Sequence, residues 1–214
     1  MTQTEQTAYT TANWNQPPHN RHSFQHMSAL FQTTQIRRSG DQASALEYAL
    51  EDLSQLPYPV SKSETQPLQH FLDSTYTDAF VVLQDGVVIT EQYFNNMNEQ
   101  TPHLLNSVSK SFVGMLAGIA IDDGALVADS LVSDYLPKLA DSAFRHTTVQ
   151  TALDMTAAVA YSEDYDQRGD DFWHEAAVVG WRPDLQTDAS PRALLDYCQQ
   201  RSQTEQDEGA HFHY

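Results

Sequence analysis

The stretch that most constrains the fold is "DAFVVLQDGVVITEQYF", residues 78–94. Two runs rich in Val, Ile and Phe flank Asp85-Gly86, a dipeptide suited to a type I′ turn because both central residues take positive φ. The pattern predicts a β-hairpin with strands over 78–84 and 87–94. A lone hairpin is marginal in water, so it requires further strands or a helix on its face. With 214 residues, 40% of them hydrophobic, the chain can bury one core and a subdomain.

Around the hairpin the pattern changes. Residues 1–40 are polar, and Pro17 and Pro18 enforce an extended path, so this part reads as an arm laid over a body. Ala43, Leu46, Leu50 and Leu53 recur at helical spacing and predict an amphipathic helix over 42–55. Phe112, Met115, Leu116 and Ile119 form an i, i+3, i+4, i+7 stripe that predicts a buried helix face, with Gly124 as its C-terminal cap. Beyond it, "DYLPKL" reads as a Pro-punctuated turn and "TVQTALDMTAAVAY" as a helix. Residues 162–188 read as an irregular loop, and Ser190-Pro191 as the cap and first position of a last helix. The implied organisation is an arm, 1–40, and an α/β domain, 41–214, with a mainly helical subdomain over about 125–205.

Charge narrows the partners. The chain carries 29 acidic and 11 basic side chains, a net of -18, a field that repels nucleic-acid phosphates and anionic lipid. The N-terminus lacks the basic and apolar regions of a signal peptide. No stretch reaches the roughly 18 apolar residues of a spanning helix. One cysteine, Cys198, cannot form an internal disulfide. These features predict a cytoplasmic protein whose partner is a small molecule, with neither nucleic acid nor membrane.

The chain has only three lysines, and Lys110 sits at the mouth of the apolar segment, three residues after Ser107. On a helix the two share a face. Ser107 falls in the first turn, where free backbone N–H groups favour negative charge, and Lys110 falls one turn deeper against apolar neighbours. A desolvated, neutral amine can take a proton from a serine hydroxyl. Ser109 and Ser111 project from other sides. Spacing alone favours a helix cap followed by a surface lysine; the hairpin before the motif and the apolar helix at it favour the chemical reading.

These residues, with "NWNQPPHNRHSFQHM", "TPHLLNSVSKSF", "DYLPKL", "YSEDY" and the final "HFHY", resemble the serine β-lactamase and penicillin-binding-protein superfamily. The resemblance is nearest to its nylon-oligomer (aminohexanoate-dimer) hydrolase branch, related to class C β-lactamases. It implies a β-lactamase/transpeptidase-like α/β fold, an antiparallel sheet flanked by helices. It also implies an acyl-enzyme on Ser107, with Lys110 as its partner and Tyr214 relaying a proton to the leaving group. Tyr165 and Trp181 match the aromatic residues that line the amide-binding cleft. No cofactor is implied.

The chain departs from the pattern at its end. Tyr214 is the last residue, so the Asn two positions later is absent, as is the Lys- or His-[Ser/Thr]-Gly strand that follows in the family. Arg38-Ser39-Gly40 comes too early, and His146-Thr147-Thr148 lacks the glycine. We therefore expect a chain truncated at the Tyr motif, its last sheet strands missing. A second reading is a truncated, non-catalytic remnant that at most binds ligands or a partner, and a third is a β-lactamase. His19, His22, His26, His211 and His213 suggest a metal site only weakly, and none is expected.

Overall fold

The computed structural model describes residues 9–37, 40, 43–167 and 169–214, which fall into two compact units divided after Leu104. In the first unit the hairpin forms as expected: β4, Ala79–Gln84, pairs antiparallel with β5, Val87–Tyr93. Asp85 and Gly86 both take positive φ, 51° and 84°, as a type I′ turn requires. Val88 and Thr90, two apart on β5, share a face and are almost fully buried, and the pairing shifts register opposite them, between Val82 and Leu83. Leu72, from α2 (Leu68–Ser74), is buried as well. β2, Pro57–Pro59, and β3, Thr65–Pro67, form a separate antiparallel pair.

The helix expected over 42–55 does not form. The described part of that segment contains β1, Glu47–Tyr48, which pairs in parallel with β5. Ala49 and Glu51 donate their N–H groups to Val88 and Ile89 carbonyls at 3.0 and 2.7 Å. A helix this short is marginal by itself, whereas the open edge of β5 offers unpaired backbone groups. The sheet, order β1-β5-β4, is therefore mixed and not purely antiparallel.

The arm is also more than an extended path. Residues 9–31 contain turns and the short α1, Asn20–Ser23, and they bury Trp14 against Phe24 and Phe31. The segment is tied to the base of the hairpin through Asp78. That buried carboxylate accepts from Asn95 Nδ2 at 3.1 Å, Gln25 Nε2 at 3.3 Å and His103 Nε2 at 3.0 Å. The His19 and His22 rings meet Asn13 and Tyr9, while His26 bonds the His22 carbonyl.

The second unit is mainly helical. α3, Ser109–Asp122, ends as a Schellman motif: Gly124 takes φ 72°, its N–H meets the Ile121 carbonyl, and the Ala125 N–H meets that of Ala120. The stripe expected to be buried is bare. Phe112, Met115, Leu116 and Ile119 are 57, 68, 65 and 59% exposed, and no α3 residue is buried.

Downstream, α4 spans Val132–Tyr135 and α5 Val149–Leu153. α5 is shorter than the predicted helix because Met155 takes φ 56° and turns the chain into an extended run. Within the predicted loop lies α6, Asp171–Val178, which buries Trp173, Ala176 and Ala177. The last helix, α7, is Leu194–Gln200, starting after Ala193 and not at Pro191. Among the described residues no helix is long and apolar enough to cross a membrane.

Candidate active site

Asn106 carries the chain into the site at φ 46°, a left-handed conformation that Asn tolerates better than most residues. Ser107 then lies in a single 3₁₀ turn, Asn106–Val108, just ahead of α3, and Lys110 is the second residue of α3 itself. Lys110 Nζ donates to Ser107 Oγ at 3.0 Å. It also donates to the Tyr214 hydroxyl at 3.2 Å, and the Ser107 and Tyr214 hydroxyls are hydrogen-bonded to each other. The ammonium sits 4.9 Å from the centre of the Tyr214 ring. The three residues picked from the sequence therefore converge. The expected apolar burial of Lys110 does not hold, since the residue is exposed.

A cavity of about 230 Å³ opens on this triad, with Trp181, Phe172, Met155, Tyr161, Glu163 and Glu175 in its walls. Trp181, which the resemblance matches to the cleft, is one of these wall residues. Tyr165 is not in the wall; it packs edge-on to Phe172, ring centres 4.7 Å apart. The loop holding Tyr161 to Tyr165 is bound to the start of α6. Asp170, the N-cap, accepts from the Ser162 hydroxyl at 2.5 Å and the Asp164 N–H at 3.2 Å. The Ser162 bond holds the Asp170 carboxyl below its ordinary range. Arg201 clamps Asp171 through two bonds, 2.6 and 2.8 Å, and donates to the Ala160 carbonyl at 2.8 Å. Arg182 bonds Asp184 in the same bidentate manner beside Trp181.

Two tyrosines, Tyr161 in the wall and Tyr165 against Phe172, are kept neutral by their neighbours. Burial, and then the Glu175 carboxylate 2.5 Å away, pushes the Tyr161 phenol far above its usual range. Its hydrogen bond to Glu163 pushes Tyr165 up to about 12. Both stay donors at working pH. Burial likewise raises the Cys198 thiol, which agrees with packing and not with nucleophilic chemistry. Among the described residues no group of three or more His, Cys, Asp or Glu is arranged to hold a metal ion.

Glu175, Tyr161, Met155 and His213 were not singled out as cavity residues from the sequence. Trp173, Ala176 and Ala177 do repeat at helical spacing, a signal that could have revealed α6 and, on its other side, Glu175.

The sequence pattern of the Beta-lactamase family matches residues 68–214. The chain belongs to the beta-lactamase family. It is 32% identical over 173 residues to a protein named 6-aminohexanoate-dimer hydrolase from Paenarthrobacter ureafaciens, covering 81% of this chain and 42% of that one. Among solved structures it is similar to one described as "Putative 6-aminohexanoate-dimer hydrolase from Bacillus anthracis", with TM-score 0.84 and 25% identity. That match covers 100% of this chain and 55% of the other, so the chain spans about half the length of the relatives it matches.

Proposed function

We propose that the chain carries the nucleophile site of a serine hydrolase that cleaves small linear amides or esters through an acyl-enzyme on Ser107. The observation that carries this reading is the mutual contact of Ser107 Oγ, Lys110 Nζ and the Tyr214 hydroxyl. In the reaction Ser107 Oγ attacks the carbonyl carbon while Lys110 Nζ, 3.0 Å away, takes its proton. The backbone N–H of Ser107 offers one donor to the oxyanion. Tyr214 gives its proton to the departing nitrogen or oxygen, and the phenolate recovers one from Lys110. Water then attacks the acyl-serine ester and regenerates Ser107.

The substrate class rests on the cleft and on the relatives. Trp181, Phe172 and Met155 give the cavity an apolar part, and Tyr165 packs edge-on to Phe172. This suits an unbranched acyl chain better than a fused bicyclic lactam. The Paenarthrobacter relative is named for the dimer of an aminohexanoate, a linear amide. Short-chain p-nitrophenyl esters and aminoacyl amides are therefore expected to be hydrolysed better than penicillins. Nitrocefin turnover without any esterase activity would reverse that order and favour a β-lactamase.

A further inference from the structure

Tyr214 can serve as a proton donor only if its backbone is held, and the phenol's bonds to Ser107 and Lys110 do not hold it. The residue before it does. His213 Nδ1 lies 2.5 Å from Glu205 Oε1, and Nε2 lies 2.8 Å from the Tyr161 carbonyl oxygen. Each ring nitrogen thus faces an oxygen that can accept a hydrogen bond. The His213 backbone N–H donates to the Met155 carbonyl at 2.8 Å.

The platform beneath is itself fixed, because residues 203–209 run along 156–160. Ala160 N–H bonds the Gln203 carbonyl at 2.9 Å, Glu205 N–H that of Ala158 at 3.0 Å, and Gly209 N–H that of Thr156 at 2.9 Å. Glu208 closes the pair of segments by accepting from the Thr151 hydroxyl and the Ala158 N–H at 2.8 and 2.9 Å. Tyr161, whose carbonyl receives His213, is anchored in turn by its phenol on Glu175 at 2.5 Å.

We propose that His213 is the positioning residue for Tyr214: by bonding Glu205 and the Tyr161 carbonyl at once, it sets the backbone from which the Tyr214 phenol reaches Ser107 and Lys110. The inference rests on the proposed function, in which Tyr214 protonates the leaving group. It has a consequence that simple loss of stability lacks. A departing amine must receive a proton, whereas p-nitrophenolate leaves without one. A displaced phenol therefore harms amide cleavage more than cleavage of the activated ester.

The test compares kcat for an aminoacyl p-methoxyanilide and for the p-nitrophenyl ester of the same acyl group, in the parent chain and in His213→Ala. General-acid catalysis contributes 10²–10⁴-fold, so partial misplacement should make the loss on the amide exceed that on the ester by about tenfold or more. KM should change little on either. Glu205→Ala, which keeps the ring and removes its partner, should show the same bias, and Glu205→Gln, which restores an acceptor, should reduce it. If His213→Ala does not fold, Glu205→Ala carries the comparison. Equal losses on the two substrates overturn the positioning role while leaving the hydrolase reading intact. A parent chain inactive on both overturns the proposed function and this inference with it.

Discussion

Replacing Lys110 by methionine is expected to slow acylation of Ser107 by about 10²-fold or more, the usual share of a general base. Methionine keeps most of the length of the side chain and removes the amine that lies 3.0 Å from Ser107 Oγ and 3.2 Å from the Tyr214 hydroxyl. Because Lys110 is exposed, its replacement should barely change stability, which separates a chemical role from a packing one. The readout is the rate of inactivation by a fluorophosphonate alongside a thermal melt. A rate reduced less than about tenfold would return Lys110 to an ordinary surface lysine at a helix start.

The second large effect concerns α3. Its apolar side chains, Phe112, Val113, Met115, Leu116 and Ile119, are all more than half exposed. Covering even about 200 Å² of such surface contributes about 5 kcal/mol at about 25 cal/mol per Å², comparable with the net stability of a small domain. Left bare, a helix of 14 residues has little beyond its own marginal propensity to hold it. Residues 1–214 are therefore expected to bind a hydrophobic dye strongly and to self-associate, and the α3 amides should exchange far faster than those of β5. The double change Met115→Gln and Ile119→Gln should weaken dye binding and association with almost no loss of thermal stability. Destabilisation by several kcal/mol, as for a core substitution, would mean that the stripe is buried in solution.

What was legible from the sequence was mostly local. Asp85-Gly86 announces its own turn, because positive φ at two adjacent positions is a property of those residues. Ser107 and Lys110 could be paired for the same reason: three residues of spacing bring them together whether the turn is 3₁₀ or α. Tyr214 joined them only through a resemblance, since no local rule links positions 107 and 214. β1 was misread as helix because Leu46, Leu50 and Leu53 keep helical spacing, while the parallel partner that decides the matter, β5, lies about 40 residues away. The α3 stripe was correctly read as a helix face, yet periodicity states only that a face is apolar, not what covers it. Tyr161 carries no signal of its own, Glu175 is marked only indirectly by the spacing of α6, and His213 is legible only as a weak metal candidate, because their places arise where 155–161, α6 and 203–214 converge. Tyr165 packs edge-on to Phe172, a wall residue of the cavity, a contact that no spacing rule announces.

The central claim is that Ser107 is the nucleophile, and mapping a covalent adduct tests it most directly. After treatment with a fluorophosphonate, digestion and tandem mass spectrometry should find a single phosphonylated serine, Ser107, and Ser107→Ala should abolish the labelling. An adduct on Ser109 or Ser111, or labelling that persists in Ser107→Ala, would contradict the account.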